Sequence, residues 1–241
     1  MGINVKNKDF FKGMYHGLPI ALGYLSVSFG FGIVAIRAGI SVLAAVGISF
    51  TNLTSAGQAA GIGVISAGGT LIEMLLTQVV INLRYSLMGI SLSQKLAPEF
   101  GVAKRLIAAH GITDEIFAVA VSQKEPITAS YFYGLMLLPI VGWTGGTLLG
   151  GIFGQILPAS VSNALGLMLY AMFLAIIIPP AKKEKSVLIC VTLAAAISVA
   201  FKYLFTSVSG GFAVIISTVI SASICAVAFP VQESKETEDT Q

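Results

Sequence analysis

Apolar runs long enough to cross a membrane recur along this chain, at residues 13–36, 74–94, 130–154, 160–178, 186–205 and 211–229. A hydrocarbon core about 30 Å thick is spanned by about 20 helical residues, so each run predicts a crossing helix or nearly one. Two stretches break the pattern. Residues 38–72 carry no charge yet hold a polar patch at their centre, and residues 106–122 mix apolar positions with "HGITDEIF".

Length constrains the first stretch. As one straight helix it would be about 52 Å long, well beyond what tilt absorbs. Two full crossings fit only tightly, and the remaining option is two short helices meeting at a break. Non-helical backbone is tolerated at membrane depth only inside protein or beside a wet cavity. The patch of Asn52, Thr54, Ser55 and Gln58, with glycines nearby, supplies the partners and close approach that such a break needs. Charge placement adds to this. With Lys6, Lys8 and Lys12 inside, Lys95, Lys104 and Arg105 also fall inside only if 38–72 dips in and returns, and Lys124 follows if 106–122 does the same. Two re-entrant elements from opposite faces are therefore expected, with seven conventional crossings as the competing topology. Broken helices in two corresponding positions suit the inverted repeats of secondary transporters.

Composition agrees. Hydrophobic residues make up 56% of the 241 and charged residues only 10%, with mean hydropathy +0.90, whereas a soluble domain carries about 25% charge. Lipid is the solvent for most of the surface, and the fold class is all-α, a polytopic helical membrane protein of six to seven crossings with one or two broken or re-entrant helices. The alternating pattern of a β-barrel is absent. The run 13–36 is too long for a cleavable signal segment, so it is expected to be retained. The chain divides into a cytoplasmic segment 1–12, one transmembrane domain 13–229 and a polar tail 230–241, mostly acidic and expected to be disordered. The net charge of +3 reflects loops rather than a nucleic-acid surface. Cys190 and Cys225 lie in apolar runs and read as small core residues, with no ligand cluster for a metal.

Ionisable and polar residues inside the apolar runs are the sharper signal, because each must face a cavity or a partner. Arg84 sits near mid-span of 74–94 and is a candidate partner for Asp114, Glu115 or a substrate carboxylate. Glu73 shares its face but stands about 16 Å along the helix, too far for a pair, and suits an interface as well as proton coupling. Gln78 and Asn82, four apart, form a second polar stripe with Tyr85 beside it. Thr113 is placed to cap a helix, with Asp114 and Glu115 in its first turn. Acidic groups at depth are also the means by which carriers couple to protons. Gly142, Gly146, Gly150 and Gly154 make a smooth helix face for close packing. His16 and His110 read as structural, and Lys202 as snorkelling from a helix end.

Four motifs in series carry a resemblance: "GLPIALGYLSVSFGFGIVA" at 17–35, the small-residue patch ending in Gln58, "NLRYSLMGISLSQKL" at 82–96 and "TDEIFAVAV" at 113–121. Together they resemble the AzlC family, the large subunit of branched-chain amino acid exporters known from azaleucine resistance. Beyond residue 130 the likeness is one of length, hydropathy and glycine content. The resemblance implies a non-enzymatic bacterial inner-membrane exporter of leucine, isoleucine and valine, with methionine as a further candidate, using no cofactor and working with a small AzlD-type membrane subunit. Ser26, Ala59 and Tyr85 depart from the proline, phenylalanine and histidine common in the family, which bears on substrate preference.

The polar patch is then expected to line the substrate path. Asn52, Thr54, Ser55, Gln58, Gln78, Asn82, Arg84, Tyr85 and Thr113 are its candidate residues, and Asp114, Glu115 and Glu73 the candidates for proton coupling or ion pairing. No phosphate loop is present, which favours a proton gradient over ATP. Two rival readings are a passive channel for small polar solutes and an intramembrane protease using Ser49 or Ser91 with His110.

Overall fold

A computed structural model describes residues 2–154, 156–205 and 207–230, and these described residues form ten helices. They are α1 (Gly2–Arg37), α2 (Val42–Thr51), α3 (Ser55–Ser66), α4 (Leu71–Ser93), α5 (Val102–His110), α6 (Asp114–Val121), α7 (Ala129–Phe153), α8 (Ala159–Lys183), α9 (Lys185–Leu204) and α10 (Gly210–Ala228). Helices long and apolar enough to cross a membrane are found at Asn7–Arg37, Leu71–Ser93, Ala129–Phe153, Lys185–Leu204 and Gly210–Ala228. The predicted run 160–178 falls in α8, where several side chains lie outside the described residues, as does most of the acidic tail.

Two compact units divide the chain, Met1–Phe173 and Leu174–Gln241. In the second, α9 packs on α10, with Ser198 Oγ donating to Ser217 Oγ at 3.2 Å. Cys190 and Cys225 are both free thiols there.

The first unit is built on α1 and α7, which run parallel with their backbones in contact. Gly13 and Gly17 face the carbonyls of Tyr131 and Leu135, while Gly142, Gly146 and Gly150 face those of Ala21, Leu25 and Phe29. A methyl group at any of these glycines would collide with backbone, which is why both faces need glycine. The predicted stripe therefore serves packing within the chain. Gly134 likewise meets the carbonyl of Phe10, and Thr128 Oγ1 donates to Asp9 at 3.0 Å. These contacts explain why α1 begins well before residue 13: α7 gives its first turns a ledge, so the predicted N-terminal segment 1–12 is almost wholly helical.

Two non-helical breaks interrupt the helices at residues 52–54 and 111–113. The elements around each are short, and tracing them against their neighbours gives their course. Val42 lies against Gly151 near the C-terminal end of α7, Ser49 bonds Thr147, and Gln58 bonds Trp143, so α2 descends along α7. Past the break, Gly57 lies beside Gln78 and Asn82, Gly61 beside Met74, and Gly69 beside Glu73. So α3 climbs back antiparallel to α4. The second pair enters from the other end. Tyr133, in the first turn of α7, donates to the Lys104 carbonyl at 3.1 Å, and Gly111 reaches Met136 one turn deeper. Asp114 then meets Arg84 at mid-helix, and α6 returns to the level where Lys95 Nζ bonds the Val121 carbonyl. Ala97 N and Ile127 O, 3.0 Å apart, close that end.

Both expected re-entrant elements are thus present, entering from opposite faces, and the order is an inverted repeat: a crossing helix then a hairpin (α1, α2–α3), followed by the same pair upside down (α4, α5–α6). The breaks are built alike, Asn52-Leu53-Thr54 and Gly111-Ile112-Thr113. Each ends in a threonine whose Oγ1 caps the next helix, Thr54 accepting from Gly57 N at 3.2 Å and Thr113 from Ile116 N at 3.4 Å.

Candidate functional site

The hairpin tips meet in the middle of the first unit. The Phe50 and His110 rings lie 5.9 Å apart between centroids. Beside them a cleft of about 220 Å³ is lined by Thr51, Asn52, Leu53, Thr54, Asn82, Tyr85, Ala109, His110 and Ile112. Both breaks and the middle of α4 contribute. No charged side chain lines the cleft among the described residues; its walls are neutral polar groups, one imidazole and the apolar Leu53 and Ile112. The volume suits several waters or one small solute.

A backbone carbonyl fixes the polarity of one wall. Gln78 Nε2 donates to the Gly57 carbonyl at 2.8 Å, because a carbonyl can only accept. Gln78 Oε1 is therefore left to accept from Asn82 Nδ2 at 3.1 Å, which orients the second amide as well. What remains is Asn82 Oδ1, an acceptor buried without a protein partner. A buried unsatisfied acceptor costs about 1–3 kcal/mol. It belongs to a residue that lines the cleft, although the oxygen itself is buried.

The α2–α3 hairpin is held by neutral groups. Gln58, only 2% exposed, donates through Nε2 to Ser49 Oγ at 2.9 Å and accepts from Trp143 Nε1 at 2.8 Å. Ser49 Oγ in turn shares a 2.7 Å hydrogen bond with Thr147 Oγ1, which also donates to the Trp143 carbonyl at 3.1 Å. This corrects two expectations. Gln58 belongs to the first turns of α3 and not to the break, and it does not line the cleft: it spends both ends of its amide tying the hairpin to α7. Ser55 begins α3 and is likewise absent from the lining. Ser49 is hydrogen-bonded to Thr147 and Gln58.

The α5–α6 hairpin is held by ionisable groups. Arg84 Nη2 and Asp114 Oδ2 are 3.0 Å apart, with side chains 38% and 29% exposed. The guanidinium also lies over the Tyr85 ring, 5.1 Å from its centroid. Glu115 bonds Tyr24 of α1, whose hydroxyl is also 2.7 Å from Thr113 Oγ1. So the sequence pairing of Arg84 resolves to Asp114. Glu73, by contrast, is buried in the first turn of α4, whose N-cap is Thr70, far along the helix from Arg84. His16 Nδ1 lies 2.8 Å from Tyr131 Oη.

Sequence reasoning missed Tyr24, Trp143 and Thr147. Tyr24 and Trp143 pack edge to face at 5.2 Å and join the two hairpin anchors. The lone tryptophan within a glycine-rich helix was the available signal, since a buried indole N–H needs an acceptor.

Comparison with known proteins adds sequence kinship. A family model described as "AzlC protein" matches residues 19–157. An uncharacterised membrane protein of Archaeoglobus fulgidus is 34% identical, over 73% of this chain and 78% of its own. The Escherichia coli inner membrane protein YgaZ is 32% identical, over 77% of this chain and 78% of its own. The branched-chain amino acid transport protein AzlC of Bacillus subtilis is 25% identical, over 70% and 66%. No solved structure matches.

Proposed function

This chain belongs to the AzlC family, and from that premise we propose that it is a secondary transporter exporting branched-chain amino acids across the bacterial inner membrane, coupled to the proton gradient. It is a membrane transporter and not an enzyme. The finer reading is carried by one observation: a small cleft with uncharged walls between two opposed hairpin tips, with an orphan acceptor at Asn82. In it the charged ends of the substrate are met by neutral polar groups of the two breaks and of α4. Leu53 and Ile112 take an aliphatic side chain. Opposed re-entrant hairpins around a central site suit alternating access.

Orientation rests on the cations gathered near the N-terminal end of α7. Lys12 lies over the Tyr131 ring, Lys95 meets Val121, and Lys104 sits beside Tyr133. By the positive-inside bias that end faces the cytoplasm. A small AzlD-type membrane subunit is the proposed partner, on the family resemblance.

Counterflow of labelled leucine in proteoliposomes, with and without the small subunit, tests the reading. Saturable counterflow is expected, reduced about tenfold or more in Asn82→Leu. No counterflow under either condition overturns it. Uphill accumulation separates a carrier from a channel.

A further inference from the structure

We propose that Glu115 carries the coupled proton, that Tyr24 is its positioning partner, and that Asp114 is the fixed counter-ion of Arg84; this rests on the transporter reading above. Glu115 and Asp114 are adjacent in the first turn of α6, but their surroundings differ. Asp114 faces the Arg84 guanidinium at 3.0 Å. Glu115 faces a phenol. The elements packed on α6 are α1, α4 and α7. From α1 the facing group is Tyr24; from α4, Arg84, engaged with Asp114, and Tyr85. Helix α7 contains no charged residue, and its tyrosines are engaged elsewhere, Tyr131 with His16 and Tyr133 with Lys104.

Proton inventory makes Tyr24 a reversible partner. Its hydroxyl has one hydrogen but touches two oxygens, Thr113 Oγ1 and Glu115 Oε2. With Glu115 ionised, Tyr24 donates to the carboxylate, and Thr113 donates to Tyr24 while still accepting from Ile116 N. With Glu115 protonated, its O–H donates to Tyr24, and Tyr24 donates to Thr113, which uses its second lone pair. The Tyr24–Glu115 and Tyr24–Thr113 contacts are both kept in either state. A proton taken from one aqueous phase forms one O–H bond at Glu115 and leaves it for the other phase, with no other bond changed. The reversal passes through Thr113, the cap of α6, directly beside Ile112 of the cleft. The α2–α3 tip, held by Gln58, Ser49 and Trp143, has no ionisable group in its anchor.

The test uses purified full-length protein in proteoliposomes loaded acid inside. Wild type accumulates labelled leucine, about tenfold per pH unit at one proton per molecule. Glu115→Gln is expected to lose that accumulation while counterflow persists, whereas Asp114→Asn lowers both together. Infrared difference spectra on acidification supply an independent readout. A carboxyl C=O band is expected in wild type and Asp114→Asn, absent in Glu115→Gln, and displaced in Tyr24→Phe, which carries the test if Glu115→Gln does not fold. Gradient-driven accumulation by Glu115→Gln, or an undisturbed band in it or in Tyr24→Phe, overturns the assignment. Wild-type counterflow without any response to the pH gradient also overturns it. Failure of wild type to exchange leucine at all instead removes the substrate reading, and the infrared band still decides the proton site.

Discussion

The two hairpins share a plan and differ in chemistry. Each dips from one face, breaks for three residues and restarts under a threonine cap. The α2–α3 tip is anchored to α7 by amide, hydroxyl and indole groups in a fully buried network. The α5–α6 tip is anchored to α1 and α4 by a half-exposed ion pair and a carboxyl–phenol contact. A neutral network buried among apolar side chains is satisfied in one arrangement and responds to no proton. An ionisable anchor is open to the pH and to the membrane potential. The two arms of the inverted arrangement thus differ, one tied by neutral groups and the other by ionisable ones.

The largest expected effect of breaking this contrast is at the neutral tip. Gln58→Ala strands the Trp143 indole N–H and one Ser49 interaction and leaves a void where a fully buried amide stood. Together these should cost about 2–4 kcal/mol, read as a lowered thermal midpoint in detergent. Trp143→Phe in the Gln58→Ala background should recover part of the loss, because it removes the orphaned donor. If the double variant is no more stable than the single one, the network does not hold the tip.

Next comes the charged anchor. Arg84→Ala and Asp114→Ala each leave a partner charge uncompensated at membrane depth, at an expected cost of about 1–3 kcal/mol given the partial exposure of both groups. The double variant should cost less than the sum of the singles, a coupling of about 0.5–2 kcal/mol in a double-mutant cycle. Additive losses would mean that the 3.0 Å pair does not tie α6 to α4.

How much of this contrast was legible in the chain depends on whether the deciding contact is local. The cap at Thr113, the Gln78–Asn82 stripe and the breaks follow from spacing along one segment, and the cations at 95, 104 and 105 constrained the hairpin topology. Arg84 was recognisable as needing a partner, and only its choice between neighbouring carboxylates needed the fold. The anchors of the tips were not legible. Gln58 and Trp143 are 85 positions apart, and Tyr24 and Glu115 are 91. Nothing in a linear pattern distinguishes an amide that lines a path from one that is locked to a distant indole. That is why Gln58 was expected to line the substrate path, and its bond to Trp143 was not foreseen.

The finest comparison is between the two capping threonines. Thr54 Oγ1 caps α3 and Thr113 Oγ1 caps α6, and both side chains are buried. Thr54→Ala should therefore cost about 1 kcal/mol, the usual value of an N-cap. Thr113→Ala loses the same cap and also a 2.7 Å contact with Tyr24, adding about 0.5–1.5 kcal/mol for that hydrogen bond. In Tyr24→Phe the extra cost should vanish, leaving the two alanine variants equal in unfolding experiments. Serine at either position should restore the hydroxyl and most of the loss. Equal costs in the wild-type background would place Tyr24 outside the cap, and with it the proposed link between Glu115 and the Thr113 hydroxyl.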